Sequence, residues 1–218
     1  MSQTWRHLTF LHWRYPPAVV QPLLPRGLRL DTLDGAAWIG LVPFEIHGLR
    51  GIPHFPETNV RTYVIGPDGS RAVWFFSLDA ARLAAVVGAR VVYHLPYFWA
   101  KMCVASEDGM IRYRSRRKRP HRTSVVSEIL VKPGDRFSRE ELGERDHFLT
   151  ARYRLYTLIH GRLGRAQIEH QPWPPARATV VMLKQNLIEA AGLPAPEGQP
   201  LVQYAEEIEV KIGYVGIG

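Results

Sequence analysis

The chain has 218 residues, of which 46% are hydrophobic and 22% charged, and this composition excludes wholesale disorder, collagen and a coiled coil. Its single cysteine excludes an intrachain disulfide and a cysteine-rich zinc site. The N-terminus lacks the pattern of a secretory signal, and no window holds about 18 uncharged apolar residues. We therefore expect one domain over residues 1–218, located in the cytoplasm.

The positive charge is concentrated in one segment. The chain has 28 lysines and arginines against 20 aspartates and glutamates, a formal net charge of +8. Seven of the basic residues lie within residues 112–122, which leaves 21 basic and 20 acidic residues elsewhere. Arg112, Arg114 and Arg116 occupy alternate positions, so we expect one charged strand face. That face either is solvated or binds nucleic acid or an acidic partner.

Short strands separated by glycine, proline and aspartate dominate the predicted secondary structure. Asp34-Gly35 and the segments 66–69 and 107–109 predict hairpin turns. Residues 207–214 alternate between apolar and charged side chains, as is typical of a half-buried antiparallel strand. The predicted strands cover residues 7–13, 28–33, 36–46, 60–65, 72–78, 97–105, 110–115, 124–131, 152–160, 162–169, 177–183 and 207–214.

Short helices are predicted between some of these strands, at residues 18–24, 80–87, 138–150 and 184–191. Gly88 is the expected end of the second helix, and Asp79 is interpreted as its cap. Ser138 and Glu141 have the spacing of a capping box. The pattern indicates an antiparallel barrel or sandwich with helical insertions, and it shows no βαβ rhythm of a Rossmann-type sheet.

The standard motifs of cofactor and catalytic sites are absent from the sequence. There is no GxGxxG after a strand, no GxxxxGK[ST], no HExxH and no GxSxG. The nine histidines are scattered rather than paired at ligand spacing. We therefore expect no cofactor and no metal, although residues distant in sequence could still form a metal site.

Two parts of the chain resemble acetoacetate decarboxylases. Residues 88–101 read G-A-R-V-V-Y-H-L-P-Y-F-W-A-K and resemble the stretch G-x-R-x-x-x-x-x-P-K-K-x-x-K of that family. Arg6, the pair Trp13-Arg14 and residues 23–28 are similar to its N-terminal run. A decarboxylase of this family needs two adjacent lysines, one of which forms a Schiff base while its neighbour lowers its pKa. Here those positions are Tyr97 and Phe98, so decarboxylation by that route is not expected.

Nearly the whole chain resembles the YqjF-like family of unknown function (domain of unknown function 2071), which belongs to the acetoacetate-decarboxylase-like superfamily. The short sequence motifs that carry this resemblance lie, in order, at residues 55–63, 75–79, 148–153, 170–174 and 187–194. The resemblance implies an α+β, mainly β fold: a closed, cone-like antiparallel β-barrel with a ligand cavity and a few short helices. It implies no established activity.

Five residues are candidates for binding a ligand. The resemblance matches Arg6 to the family's substrate-holding arginine and Glu57 to one of its acidic residues. A second acidic residue of the family falls near residues 38–40, where no carboxylate occurs. Arg6 and Arg14 share a strand face if the strand is unbroken, and an internal ion pair is their alternative role. Glu57, Asn59 and Arg61 alternate along another strand and line either a polar cavity or solvent.

Three residues are candidates for catalysis. Tyr97 replaces the family's lysine, where it donates a proton or packs in a cavity wall. His170 lies in a proline-rich loop, where it acts as an acid or base or packs under Trp173. Lys101 lies in an apolar stretch, which makes it a candidate replacement amine; its alternative is an outward-facing position.

These observations predict a protein that binds a small carboxylate-bearing or oxygenated organic molecule in a barrel cavity. If it is an enzyme, it is lyase- or hydrolase-like and forms no Schiff base. The alternative is a non-catalytic regulatory module that binds nucleic acid or an acidic partner through residues 112–122. A steep salt dependence of binding would favour that alternative. We expect no membrane partner, and the sequence leaves a homo-oligomer open.

Overall fold

The computed structural model describes residues 1–118, 124–138, 140–173 and 175–217, so the end of the basic segment, residues 119–122, lies outside the described ranges. The strands are β1 (Ser2–Tyr15), β2 (Arg29–Leu30), β3 (Ala37–His47), β4 (Phe55–Ile65), β5 (Arg71–Ala80), β6 (Tyr97–Glu107), β7 (Met110–Arg117), β8 (Val126–Arg136), β9 (Arg154–Ile159), β10 (Arg162–His170), β11 (Ala176–Gln185), β12 (Leu201–Ile212) and β13 (Gly216–Ile217). The helices are α1 (Pro17–Val20), α2 (Leu83–Val92), α3 (Glu144–Thr150) and α4 (Leu187–Ala190), with a 3-10 turn at Gln21–Leu23. The fold is mainly β, as the sequence predicts.

In the described ranges all thirteen strands belong to one sheet. Their order is β13-β10-β9-β5-β6-β7-β8-β11-β12-β1-β3-β4-β2, with additional pairings of β10 with β12 and of β5 with β4. These two pairings join strands that are far apart in the sheet order, so the sheet curves back on itself. Most pairs are antiparallel, but β5 pairs in parallel with both β6 and β9.

One strand-helix-strand unit interrupts the antiparallel pattern. After β5 the chain forms α2 and returns as β6, which lies parallel to β5 with Leu78 opposite Tyr97. A parallel pair requires such a crossover. The sequence predicts strands joined mostly by hairpins, and this crossover is an exception. It carries the start of β6, including Tyr97, to the sheet beside α2.

The core consists of two large clusters of buried side chains. The first includes Phe10, Phe44, Phe55 and Tyr63, and the second includes Leu11, Ile39, Ile129 and Leu187. Trp173 packs edge-on against Phe10, with ring centroids 5.4 Å apart. Large buried aromatic residues contribute strongly to core stability, so the two clusters fix the strands that surround the site.

The predicted hairpins are largely confirmed. β4 and β5 flank residues 66–69, and β6 and β7 flank a turn in which Asp108 and Gly109 both have positive φ, of 50° and 72°. Asp34 and Gly35 also form a positive-φ turn, closed by a bridge between Leu33 and Ala36. The short strand before that turn pairs with β4 rather than with β3, contrary to the predicted hairpin.

Several predicted boundaries are wrong, and three of them have a clear local cause. Gly88 lies within α2, which ends instead at Val92; Tyr93 is its C-cap residue and precedes His94, which has a φ of 52°. β8 continues past residue 131 through Pro133, where a register irregularity accommodates the missing N–H. Ser138 does bond to the Glu141 carboxylate, with a nitrogen–oxygen distance of 2.8 Å, but α3 begins after Gly143.

Across the described ranges, no helix is long and apolar enough to cross a membrane.

Candidate functional site

A mainly apolar pocket of about 490 Å³ lies between α2, the start of β1, the start of β6 and the loop that follows β3. We call it the Glu57 pocket. The face of α2 toward it carries small residues, which leave space rather than fill it. Its lining includes Gln3, Trp5, Ile46, Arg50, Ile52, Phe55, Glu57, Ala84, Ala85, Gly88, Ala89, Val92, Tyr93, Leu95, Tyr97, Leu155 and Tyr214.

Glu57 and Tyr97 meet in this pocket. Glu57 is 3% exposed, and the Tyr97 hydroxyl donates a hydrogen bond to Glu57 Oε2 at 2.8 Å. Burial raises the pKa of Glu57 to about 8, although the Tyr97 hydrogen bond opposes this shift. Burial and the nearby Glu57 also raise the pKa of Tyr97 well above 10. At neutral pH the pair therefore consists of a carboxylic acid and a phenol, both uncharged.

A buried ion pair lies next to the pocket. Asp79 Oδ1 accepts a hydrogen bond from Arg117 Nε at 2.7 Å, and each side chain is 1% exposed. The Arg117 guanidinium also lies 3.9 Å from the centroid of the Phe98 ring. Burial is the main cause of the raised pKa of Glu57, and the negative charge of Asp79 adds to it. The interpretation of Asp79 as a helix cap is wrong, because α2 begins after Arg82 without a side-chain cap.

Asn59 and Arg61 lie farther along β4, and neither lines the Glu57 pocket. Both are buried, and Asn59 Oδ1 has no hydrogen-bond partner among the described residues. The Arg61 guanidinium lies 5.3 Å from the Phe10 ring centroid. Burial and the Arg61 charge hold the pKa of His12 well below 6.5. The shared face of β4 is thus interior, which is one of the two alternatives left open, and of its three polar candidates only Glu57 lines the pocket.

The expectation that Arg6 and Arg14 point inward is wrong. Arg6 is 47% exposed and pairs with Glu207 at 2.6 Å, while the exposed Arg14 donates to the Asp34 carbonyl at 2.9 Å. The strand is not unbroken: His7 has a φ of 50°, and the pairing register with β3 shifts between Arg6 and Leu11. Cross-strand pairing with a glutamate keeps Arg6 on the polar outer face.

Lys101 and His170 also lie outside the Glu57 pocket. Lys101 is exposed and lines an outer groove with Arg114, Arg116 and Lys184, where its charge stays hydrated. The His170 ring lies 4.7 Å from the Trp173 ring, and Nδ1 is 2.7 Å from the Gln171 carbonyl oxygen. The geometry therefore matches the alternative that was left open for each residue, an outward position for Lys101 and packing for His170.

No lysine reaches the pocket. The sequence has five lysines, and all five are exposed: Lys101, Lys118, Lys132, Lys184 and Lys211. A Schiff base in this pocket would need a buried or shielded amine, so the structure offers no amine there. In the described ranges, histidine, cysteine, aspartate and glutamate side chains form no group of three that could hold a metal ion.

The described part of the basic segment is largely paired. Arg112 and Arg114 both bond to Glu128, at 3.2 and 2.8 Å. Arg116 is exposed, as expected, but Arg117 is the buried partner of Asp79. Period-two alternation explains the difference, because residue 117 is in phase with the buried Tyr113 and not with Arg116. This alternation is the sequence signal that could have identified Arg117 as a buried residue.

Sequence comparisons identify relatives over most of the chain. The family model for domain of unknown function 2071, described as an uncharacterized conserved protein, matches residues 2–209. The uncharacterized protein YqjF of Bacillus subtilis is 37% identical over 218 residues, covering 96% of this chain and 89% of its own length. The resemblance to the YqjF-like family, which rests on short sequence motifs spaced along the chain, is confirmed.

Structural comparisons identify the fold. Acetoacetate decarboxylase of Legionella pneumophila has a TM-score of 0.65 at 12% identity, covering 99% of this chain and 86% of that one. The enduracididine biosynthesis enzyme MppR, complexed with pyruvate, has a TM-score of 0.66 at 11% identity, with coverages of 99% and 89%. An acetoacetate decarboxylase-like enzyme of Sphingomonas wittichii has a TM-score of 0.59 at 11% identity, with coverages of 99% and 92%. At these identities the likeness shows a shared fold.

Proposed function

We propose that this chain, which belongs to the family of domain of unknown function 2071, binds a small carbonyl compound in the Glu57 pocket. One observation carries the proposal: the buried Glu57 carboxyl accepts a hydrogen bond from the half-buried Tyr97 hydroxyl and faces a mainly apolar pocket. Pockets that bind small molecules combine apolar walls with a few converging polar groups. The pocket has both features.

The proposal includes a closed, cone-like barrel around the pocket. The β5–β4 and β10–β12 pairings support closure, because they join strands from distant parts of the sheet order. A closed sheet has no free edges where it closes and encloses space for a ligand. The pocket-lining residues Trp5, Phe55 and Leu155 come from three different strands of that sheet.

The hydrogen bond from Tyr97 to Glu57 indicates which chemical class of ligand the pocket binds. Because Tyr97 donates to Oε2, the proton of neutral Glu57 belongs on Oε1, where it can be donated to a ligand oxygen. A ketone or aldehyde oxygen accepts such a bond without bringing charge into an apolar site. The MppR structure holds pyruvate, itself a carbonyl compound, on the same fold, which supports this class. Arg50, exposed at the pocket, is a partner for a carboxylate end of the ligand.

If the protein catalyses a reaction, Glu57 is the candidate general acid. Its proton would move to the carbonyl oxygen as negative charge develops there, and Tyr97 would stabilise the carboxylate that remains. Tyr97 and Phe98 supply no amine, so this chemistry involves no covalent imine. Such proton donation suits lyase-type cleavage of a carbon–carbon bond next to the carbonyl group: the electron pair of the broken bond forms the enol double bond, the carbonyl oxygen takes the Glu57 proton, and the other fragment leaves without that pair, as a carboxylate does when it leaves as carbon dioxide.

Filling the Glu57 pocket with a larger side chain should weaken ligand binding. We expect 2-heptanone, an uncharged ketone probe, to bind wild-type protein saturably in ligand-observed NMR titrations. Ala85→Phe should weaken this binding by about tenfold or more, because the new ring occupies the pocket beside α2. Val87→Phe is the matched control, since Val87 is 52% exposed on the same helix. Equal ketone binding by wild type and Ala85→Phe would contradict the assignment of the pocket.

A further inference from the structure

A second concave site lies between β5, α3, β9 and β10. Its lining includes Arg71, His147, Arg152, Arg154 and Gln167, and it encloses about 490 Å³. We call it the Arg152 groove. It shares no lining residue with the Glu57 pocket. Arg154 lies on the groove side of β9, and its neighbour Leu155 lines the Glu57 pocket on the other side.

Arg152 is a buried cation with unused hydrogen-bonding capacity. Its side chain is 5% exposed, and one terminal nitrogen lies 2.8 Å from Asp31 Oδ2. Its Nε is buried and has no hydrogen-bond partner among the described residues. The guanidinium is held between aromatic rings, 4.5 Å from the Phe148 centroid and 5.0 Å from that of Tyr63. A buried donor without a partner is costly, so Arg152 keeps an incompletely satisfied positive charge at the wall of the groove.

The charges around the groove do not cancel. Arg71 and Arg152 share the single carboxylate of Asp31, since Arg71 Nε lies 3.0 Å from the same oxygen. Arg154 adds a third guanidinium to the lining, and Glu144 adds one carboxylate. Three guanidiniums against two carboxylates leave an excess of one positive charge.

We propose that the Arg152 groove binds the phosphoryl group of a small molecule. A phosphoryl group offers three terminal oxygens to the three arginines, whereas a carboxylate offers two. The planar guanidinium forms paired hydrogen bonds with phosphate oxygens, and several arginines converge on this one groove. Gln167 supplies a further amide donor at the same place. The site is independent of the Glu57 pocket, so either assignment can fail without the other.

Titration with inorganic phosphate, followed by ³¹P NMR, tests this proposal. We expect saturable binding to wild-type protein and a loss of affinity of about tenfold in Arg154→Gln, the size expected for one charge-assisted hydrogen bond. Arg162→Gln is the matched control, because it makes the same charge change at an exposed position on the adjacent strand β10, outside the groove. Equal affinities of the two variants, or no saturable binding to wild type, would overturn the proposal.

Two further probes define the ligand. Tighter binding of phenyl phosphate than of inorganic phosphate would identify the ligand as a phosphomonoester, and the reverse order would identify it as free phosphate; both orders support the phosphoryl assignment. Benzoate carries a carboxylate on a ring of the same size. Benzoate binding as tight as that of phenyl phosphate would show that the groove does not select phosphoryl groups, and the proposal would then be wrong.

Discussion

Replacing Arg117 with glutamine is expected to lower the free energy of unfolding by about 3–5 kcal/mol. Arg117 and Asp79 are each 1% exposed and lie 2.7 Å apart, so the substitution leaves the Asp79 carboxylate buried without its counter-charge. Burial already raises the pKa of Asp79 to about 6, although Arg117 opposes the shift. Urea unfolding at neutral pH, monitored by tryptophan fluorescence, measures the loss.

Arg116→Gln provides the matched control for this prediction. It removes the same charge one residue earlier on β7, at an exposed position, and should change stability by less than about 0.5 kcal/mol. A double variant in which Asp79 and Arg117 are both replaced by apolar residues should recover part of the loss, because no unpaired charge remains. If Arg117→Gln were as stable as Arg116→Gln, the buried pair would not exist in solution.

The stability of the protein should fall as the pH rises, through the ionisation of Glu57. Its pKa rises from 4.5 to about 8 on folding, so between these values the folded state binds a proton that the unfolded state has lost. The stabilisation is complete below pH 4.5 and is lost progressively up to about pH 8. For this single group the loss is about 5 kcal/mol.

Comparison with Glu57→Gln isolates that contribution. Glutamine is uncharged at every pH and still offers an oxygen to the Tyr97 hydroxyl, so the variant should equal wild type near pH 4.5 and exceed it in stability above pH 8. The pH-dependent contribution of Asp79 has the same sign in both proteins, so it cancels when their free energies of unfolding are subtracted. Glu209→Gln, a substitution at an exposed position, should show the same dependence of the free energy of unfolding on pH as wild type. Parallel curves for wild type and Glu57→Gln would show that Glu57 ionises normally.

Local chemistry made much of the fold predictable. Turns with glycine and aspartate, such as Asp108-Gly109, require positive φ, and the flanking strands then pair as hairpins. Alternation identified the half-buried strand β12, in which Glu207 is exposed and Ile208 buried. The position of Glu57 and Tyr97 followed from the family resemblance rather than from spacing.

The remaining errors arise where tertiary contacts override local signals. Gly88 would normally end a helix, yet α2 continues past it and presents its small residues to a pocket. The bulge at His7 breaks the strand periodicity on which the placement of Arg6 rested. Asp79 and Arg117 are 38 residues apart, so only the folded sheet brings them together. Pairings of this kind depend on the order of strands in the sheet, which local patterns do not encode.

The most direct test of the central claim is the pH dependence of binding of 2-heptanone labelled with ¹³C at its carbonyl. A carbonyl that accepts a hydrogen bond from neutral Glu57 should resonate downfield of its position in water. Its affinity should fall about tenfold or more between about pH 6 and pH 9.5, with a midpoint near 8, because the donor proton is lost. Glu57→Gln keeps an amide donor and should bind equally at both pH values. A wild-type affinity that does not change with pH, with an unshifted carbonyl resonance, would contradict the account.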